Sequence, residues 1–244
     1  MAQENPRWGL PRIQGALRNL GHRIARTTVK RILSQYGLDL APERGRKTSW
    51  TTFLKAHFEV TAAADFFSVE LLTLRGLVRT MVFFVIDLAT RRVQIAGVRI
   101  DPDGRWVEQQ ARNLTDASNG FLVGKRYLLH DRDPLYTKTF EEILKSTGTT
   151  PVRLSARSPN LNAFVERVVR SIKSECLDRM IFVSEASLRR AIEAYVEHYH
   201  RERNHQGLGN ALIDSREPDP AARGEVRCRE RLGGMLRFYT RAAA

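Results

Sequence analysis

Cysteine is scarce in this chain: two residues in 244, Cys176 and Cys228, too few and too separate for a disulfide framework or a zinc cluster. That excludes a small stapled scaffold and makes a reducing cytoplasm the expected compartment. Long apolar runs are missing as well. No segment approaches the roughly 20 residues needed to cross a bilayer, so no membrane partner is expected. The opening Met1-Ala2-Gln3-Glu4-Asn5-Pro6 lacks the basic-then-apolar layout of a secretion signal. Acidic side chains are in deficit, with 27 Asp and Glu against 40 Lys and Arg and a net charge of +13. Such an imbalance favours a polyanionic partner over a neutral one.

The excess is uneven. Residues 1–50 carry +7, residues 51–150 only +1, and residues 151–244 carry +5. A near-neutral middle flanked by basic arms suits a core held on nucleic acid from both sides. With 42% hydrophobic content, the chain can bury one main domain and still carry a small appended module.

The first module reads as two short helices. Pro11 to Leu20 places Ile13, Leu17 and Leu20 on one face, Gly21 breaks the pattern, and Arg26 to Tyr36 repeats it with Val29, Ile32, Leu33 and Tyr36. Helix, short turn, helix is the outline of a DNA-reading unit. Its second helix would lead into the major groove with Arg26, Thr27, Thr28, Lys30 and Arg31. A basic linker follows, with Pro42, Gly45 and the cluster Arg44, Arg46, Lys47.

From about residue 53 the pattern predicts strands: Phe58 to Val69, Leu77 to Leu88 and Arg92 to Val98, joined by hairpin-length gaps. Then come a helix from Gly104 to about Ala117, a strand (Lys125 to His130), a helix (Lys138 to Ser146), a strand (Pro151 to Leu154) and a long helix (Asn160 to Leu177). Three antiparallel strands followed by alternating helices and strands give an α/β fold, a mixed five-stranded sheet with helices on its faces.

On that frame three acids stand out. Asp65 lies in the first strand, Asp131 ends the fourth, and Glu166 falls in the long helix. One carboxylate from each of three elements suffices for hard divalent cations such as Mg²⁺. Two such ions roughly 3.5–4 Å apart can serve phosphoryl transfer.

The order of these elements, with Ala64-Asp65-Phe66-Phe67, His130-Asp131-Arg132-Asp133 and Asn162-Ala163-Phe164-Val165-Glu166-Arg167, resembles the integrase catalytic core of bacterial insertion-sequence transposases. These are relatives of retroviral integrases with a ribonuclease-H-like fold. The 34 residues between Asp131 and Glu166 are close to the spacing that group keeps between its second and third acids. The resemblance extends outward to Arg7–Ile13 and Arg26–Leu33, similar to the helix-turn-helix region that precedes such cores. It ends with Tyr199–Leu208, similar to the segment that closes them.

The resemblance implies a helix-turn-helix-like DNA-binding segment (1–38), a basic linker (39–52), an integrase-type catalytic core (53–210) and a C-terminal tail (211–244). It implies that Asp65, Asp131 and Glu166 hold two Mg²⁺ or Mn²⁺ ions that polarise water or a 3′-hydroxyl for in-line attack on a DNA phosphodiester. Partners would be element ends and target DNA, bound by a homo-oligomer near the nucleoid of a bacterium. Asn162, Arg170 and Lys173 share a helix face with Glu166, where Arg170 and Lys173 would grip phosphates.

Two departures matter. Many relatives have Gly two places after the second acid where this chain has Asp133, which makes Asp133 a rival to Asp131; Asp131 is preferred because it follows the apolar strand directly. Position 162 is Asn where many relatives carry Asp. His198, His200 and His205 are expected at the surface or facing DNA rather than on a metal. The alternatives to a transposase are a metal-dependent nuclease on the same fold, or a non-catalytic remnant that only binds DNA. The three intact acids favour catalysis, and the short stretch before the helix pair favours the remnant.

Overall fold

The computed structural model describes residues 1–5, 8–38, 50–154, 163–214 and 224–241. Most of the expected linker and Asn162 lie outside the described residues. The chain divides into two compact units, Met1–Ala56 and His57–Ala244.

In the first unit, α1 (Leu10–Asn19) and α2 (Arg26–Gln35) form as expected. Pro11 sits in the first turn of α1, where its missing N–H costs nothing. Ile13, Val29 and Leu33 form a small core, with Trp8, Leu17 and Ile24 packed against it. The Gln14 side chain donates to the Ile24 carbonyl at 2.8 Å and fixes the turn. The buried stripe is narrower than the sequence pattern suggested: Leu20 and Tyr36 are 65% and 77% exposed. Both are C-caps, each followed by a glycine at positive φ that turns the chain away.

The strands begin later than the composition suggests. Trp50–His57 is a helix, α3, followed by a 3₁₀ turn over Phe58–Val60, and β1 starts at Thr61. Trp50, Phe53, Leu54 and His57 recur at helical spacing, and that periodicity outweighs the bulky side chains that mimic a strand.

The second unit carries β1 (Thr61–Thr73), β2 (Gly76–Asp87), β3 (Val93–Ile100), α4 (Gly104–Leu114), β4 (Tyr127–His130), α5 (Lys138–Ser146), β5 (Thr150–Arg153), α6 (Ala163–Glu175) and α7 (Glu185–Arg201). The five strands lie in the order β3-β2-β1-β4-β5. Strand β1 pairs antiparallel with β2 and parallel with β4, and β4 is parallel to β5. This is the ribonuclease-H-like mixed sheet expected from the sequence.

Alternation along the strands assigns the two faces. Ala62, Ala64, Phe83, Val85 and Leu128 pack with Val107, Ala111, Phe140 and Leu144 of α4 and α5. On the opposite face, Phe67, Phe84, Val93 and Ile95 meet Val168 and Ile172 of α6 and Tyr195 and Tyr199 of α7. Gly97 is required by closeness: a Cβ there would sit 2.5 Å from the Trp106 ring. The helices start on side-chain caps, with Asp103, Thr137 and Ser184 accepting from backbone amides of α4, α5 and α7.

The C-terminal tail contains a hairpin, β6 (Val226–Arg231) and β7 (Leu236–Arg241). Arg231 clamps it to the end of α7, donating to both oxygens of buried Glu202 at 2.7 and 2.8 Å. His198 Nδ1 donates to the same carboxylate at 3.0 Å. This corrects the expectation for the three histidines, all of which are buried. His200 Nε2 accepts from the Val93 amide at 2.9 Å and His205 Nε2 donates to the Tyr199 carbonyl at 2.7 Å. They are structural anchors.

The hydrogen bonds from Arg231 and His198 hold Glu202 at about 2, below its usual 4.5. A depressed carboxylate contributes stability above its unfolded pKa and loses it as pH falls through the folded one. Glu202→Gln should therefore flatten the fall in stability between about pH 4.5 and 2. Urea midpoints compared across that window test this, and parallel losses in both proteins would contradict it.

Candidate functional site

The central strand β1 carries Asp65 on the face toward α6. The parallel pairing runs from Thr61↔Tyr127 to Ala63↔Leu129; Asp65 stands two residues beyond it on β1, and Asp131 two residues beyond it, just past the end of β4. Both acids are half-buried. Each is oriented locally: Asp65 Oδ1 accepts from the Phe66 amide at 2.8 Å, and Asp131 Oδ1 from the Asp133 amide at 3.0 Å. Asp133 in turn accepts from the Leu135 amide at 2.9 Å. The loop after β4 is thus two successive side-chain-to-backbone turns.

Beneath this loop lies Tyr136, 4% exposed. Its ring packs 4.5 Å from His130, 5.1 Å from Phe140 and 5.3 Å from Phe66. Burial pushes its hydroxyl pKa up, and the negative charges of Asp65, Asp131 and Asp133 push the same way. Three carboxylates therefore share the surroundings of one buried phenol. His130 is wholly buried; its Nδ1 donates to the Asp131 carbonyl at 2.8 Å, and burial holds its pKa down. Neither Tyr136 Oη nor His130 Nε2 has a protein hydrogen-bond partner among the described residues.

Glu166 lies in the first turn of α6 and is exposed. Helix α6 packs on β1, and Glu166 is on its flank, with Val165, Val168 and Ile172 buried beneath. Arg170 is exposed and Lys173 half-exposed on the same flank. Among the described residues no three His, Cys, Asp or Glu side chains are grouped so as to hold a metal ion. The fold brings Asp65, Asp131 and Asp133 around Tyr136 and does not gather Glu166 into a three-ligand cluster with them.

In the first unit, Arg26, Thr27, Lys30 and Arg31 are exposed and Thr28 is half-buried. They surround the buried stripe of Val29 and Leu33, which faces α1. Arg26 Nε donates to the Gln14 side chain at 3.3 Å. Sequence reasoning missed Tyr136 and His130. The only signal was their place within a few residues of Asp131, and periodicity does not read a loop.

Residues 147–212 match the family model of the integrase core domain. The segment includes Glu166 and excludes Asp65 and Asp131. No curated protein matches the chain. Among solved structures it is similar to the HTLV-2 integrase catalytic core domain in complex with magnesium in a dimeric form, at 14% identity and a TM-score of 0.44, covering 58% of this chain and 86% of that one. It is similar to the catalytic core domain of BIV integrase at 17% identity and a TM-score of 0.43, covering 64% and 91%. A simian T-cell lymphotropic virus intasome in complex with the PP2A regulatory subunit B56 gamma gives 12% identity and a TM-score of 0.43, covering 74% and 66%. The family match is confined to residues 147–212, the stretch that holds β5, α6 and α7.

A buried hydroxyl without a protein partner costs stability that a phenyl ring of the same shape does not. Tyr136→Phe should leave the unfolding free energy unchanged or raise it by about 1 kcal/mol in chemical denaturation. A loss of about 2 kcal/mol or more would show that the hydroxyl is satisfied.

Proposed function

We propose that this chain is a DNA transposase of the integrase type, cutting element ends and joining them to target DNA. The observation that supports the reading most is the parallel pairing of β1, which carries Asp65, with β4, which Asp131 directly follows, with α6, which carries Glu166, packed on β1. Neighbouring strands are about 4.8 Å apart, so two carboxylates at one level can share a hard cation. The three acids suit Mg²⁺ or Mn²⁺, since all of them offer carboxylate oxygens. Asp65, Asp131 and Glu166 would hold the ions. When bound, a pair of divalent ions supplies activation of the attacking oxygen and stabilisation of the leaving one.

The protein's own part is positioning. The backbone amides of Phe66 and Asp133 fix one oxygen of each aspartate. Arg170 and Lys173 would hold a DNA phosphate beside the acids. Arg26, Thr27, Thr28, Lys30 and Arg31 would read DNA from the first unit, and a homo-oligomer would present two element ends together.

One observation favours the non-catalytic reading: among the described residues no three acids, with or without Glu166, are grouped so as to hold a metal ion. An assay with pre-nicked end DNA and Mn²⁺, scoring strand joining separately from hydrolysis, separates the possibilities. Asp131→Asn should abolish joining while DNA affinity is kept or raised, since a negative charge near phosphate is lost. Asp133→Asn should be much milder. The reverse ranking would move the role to Asp133, and wild-type protein that binds DNA without joining or cutting it would leave the binding reading.

The first unit gives a second expectation. Replacing Arg31, exposed on α2, with Ala should lower the salt slope of DNA binding by about one unit. An unchanged slope in a fluorescence titration would make α2 a packing element.

A further inference from the structure

On the far flank of α6 from Glu166 lies a cavity of about 340 Å³, at the small end of the roughly 300–1,000 Å³ typical of ligand clefts. It is lined by Ile86 of β2, Arg91 from the β2–β3 turn, Phe164, Arg167 and Ser171 of α6, Tyr199 of α7 and the segment Arg203 to Leu208 that follows it. Three guanidiniums, Arg91, Arg167 and Arg203, converge on it, and no lining residue is acidic. Arg203 is neutralised by Glu175, with its Nη2 and Nε at 2.7 and 2.9 Å from the two oxygens. Asp87, the other acid near Arg91, is held by Lys125 at 2.9 Å.

Arg91 and Arg167 have no acid ion-paired to them among the described residues. Arg91 lies over the Phe164 ring at 3.9 Å and the Phe58 ring at 5.0 Å and donates to the Leu88 carbonyl. Burial lowers its pKa, and the charge of Arg167 adds to that against the opposing pull of Tyr199 and Asp87. Two unneutralised guanidiniums held beside a third cost electrostatic free energy that an anion in the cavity would offset. Gln206 lines the same space, and the planar fork of Arg167 suits a phosphate.

We infer that this cavity binds one phosphate of a DNA strand, at a position separated from the acids by the width of α6. The inference rests on the DNA reading above and names a second point at which the strand is held. The size of the cavity fits a single nucleotide unit.

Arg167 is exposed, so substituting it leaves the core intact. The full-length chain is titrated with a labelled thymidine decamer and with a duplex of equal length over a range of salt. Arg167→Gln should weaken decamer binding about tenfold, one charge-assisted hydrogen bond's worth, and lower the salt slope by about one unit. Arg167→Lys should keep the slope and lose part of the affinity, because lysine lacks the fork. A decamer carrying 4-thiothymidine should photo-crosslink to residues 199–208. Unchanged affinity and slope in Arg167→Gln, with wild-type DNA binding intact, overturns the pocket and leaves the function standing. Failure of the wild-type chain to bind either DNA overturns both. Capture of poly-glutamate in place of the decamer, sensitive to Arg167→Gln, would assign the cavity to an acidic protein segment and overturn the DNA assignment.

Discussion

The parallel pairing of β1 with β4 is the constraint on which the rest of the molecule depends. Strand β1 sits at the centre of the sheet, antiparallel on one side and parallel on the other. A shift of the β1–β4 register by one residue would offset Asp65 from Asp131 and send one of the two side chains to the wrong face. The register is held by the apolar content of the strands. Ala62, Ala63, Ala64, Leu128 and Leu129 are buried almost completely, and each has a fixed face in one of the two cores. Small residues at 62–64 let helices approach both sides of β1, which sets α6 close to the strand that carries Asp65.

Charge in this chain does two different jobs, and counting residues does not tell them apart. In the C-terminal hairpin, Arg229 and Arg231 reach Glu202, and Arg237 pairs with Glu230. The first two hold the hairpin on the end of α7, and the third ties its two strands together. On α6, by contrast, Arg167, Arg170 and Lys173 have no ion pair among the described residues. These three cations stand on both sides of the solvent face of α6. That distribution is what a strand held at two points beside the acids would need.

Much of the second unit was legible in the sequence. Runs of branched and aromatic residues separated by turn signals located the strands, and the alternation after β3 gave the parallel half of the sheet. The misreadings have physical causes. Trp50–His57 looks strand-like by residue type but has helical spacing. The histidines look polar, yet His198 and His200 lie on the inner face of α7 and are satisfied by partners at positions 202 and 93, the second a contact no local pattern could reveal. The same holds for the arginine cavity, whose lining comes from positions 86 to 208. Asp65 and Asp131 were readable because each ends or interrupts an apolar strand. Tyr136 was not, since its burial depends on the fold closing over a loop.

The central claim is that the level of β1 and β4 makes a metal site from Asp65 and Asp131, completed by Glu166. The most direct test is a crystal of the protein equilibrated with Mn²⁺ and recorded at an energy where manganese scatters anomalously. The account predicts anomalous density between the Asp65 and Asp131 carboxylates, with Glu166 turned in to complete the coordination at about 2.0–2.2 Å, close to the Mg²⁺ range. Density on Asp131 and Asp133 that leaves Asp65 and Glu166 uncoordinated would contradict it.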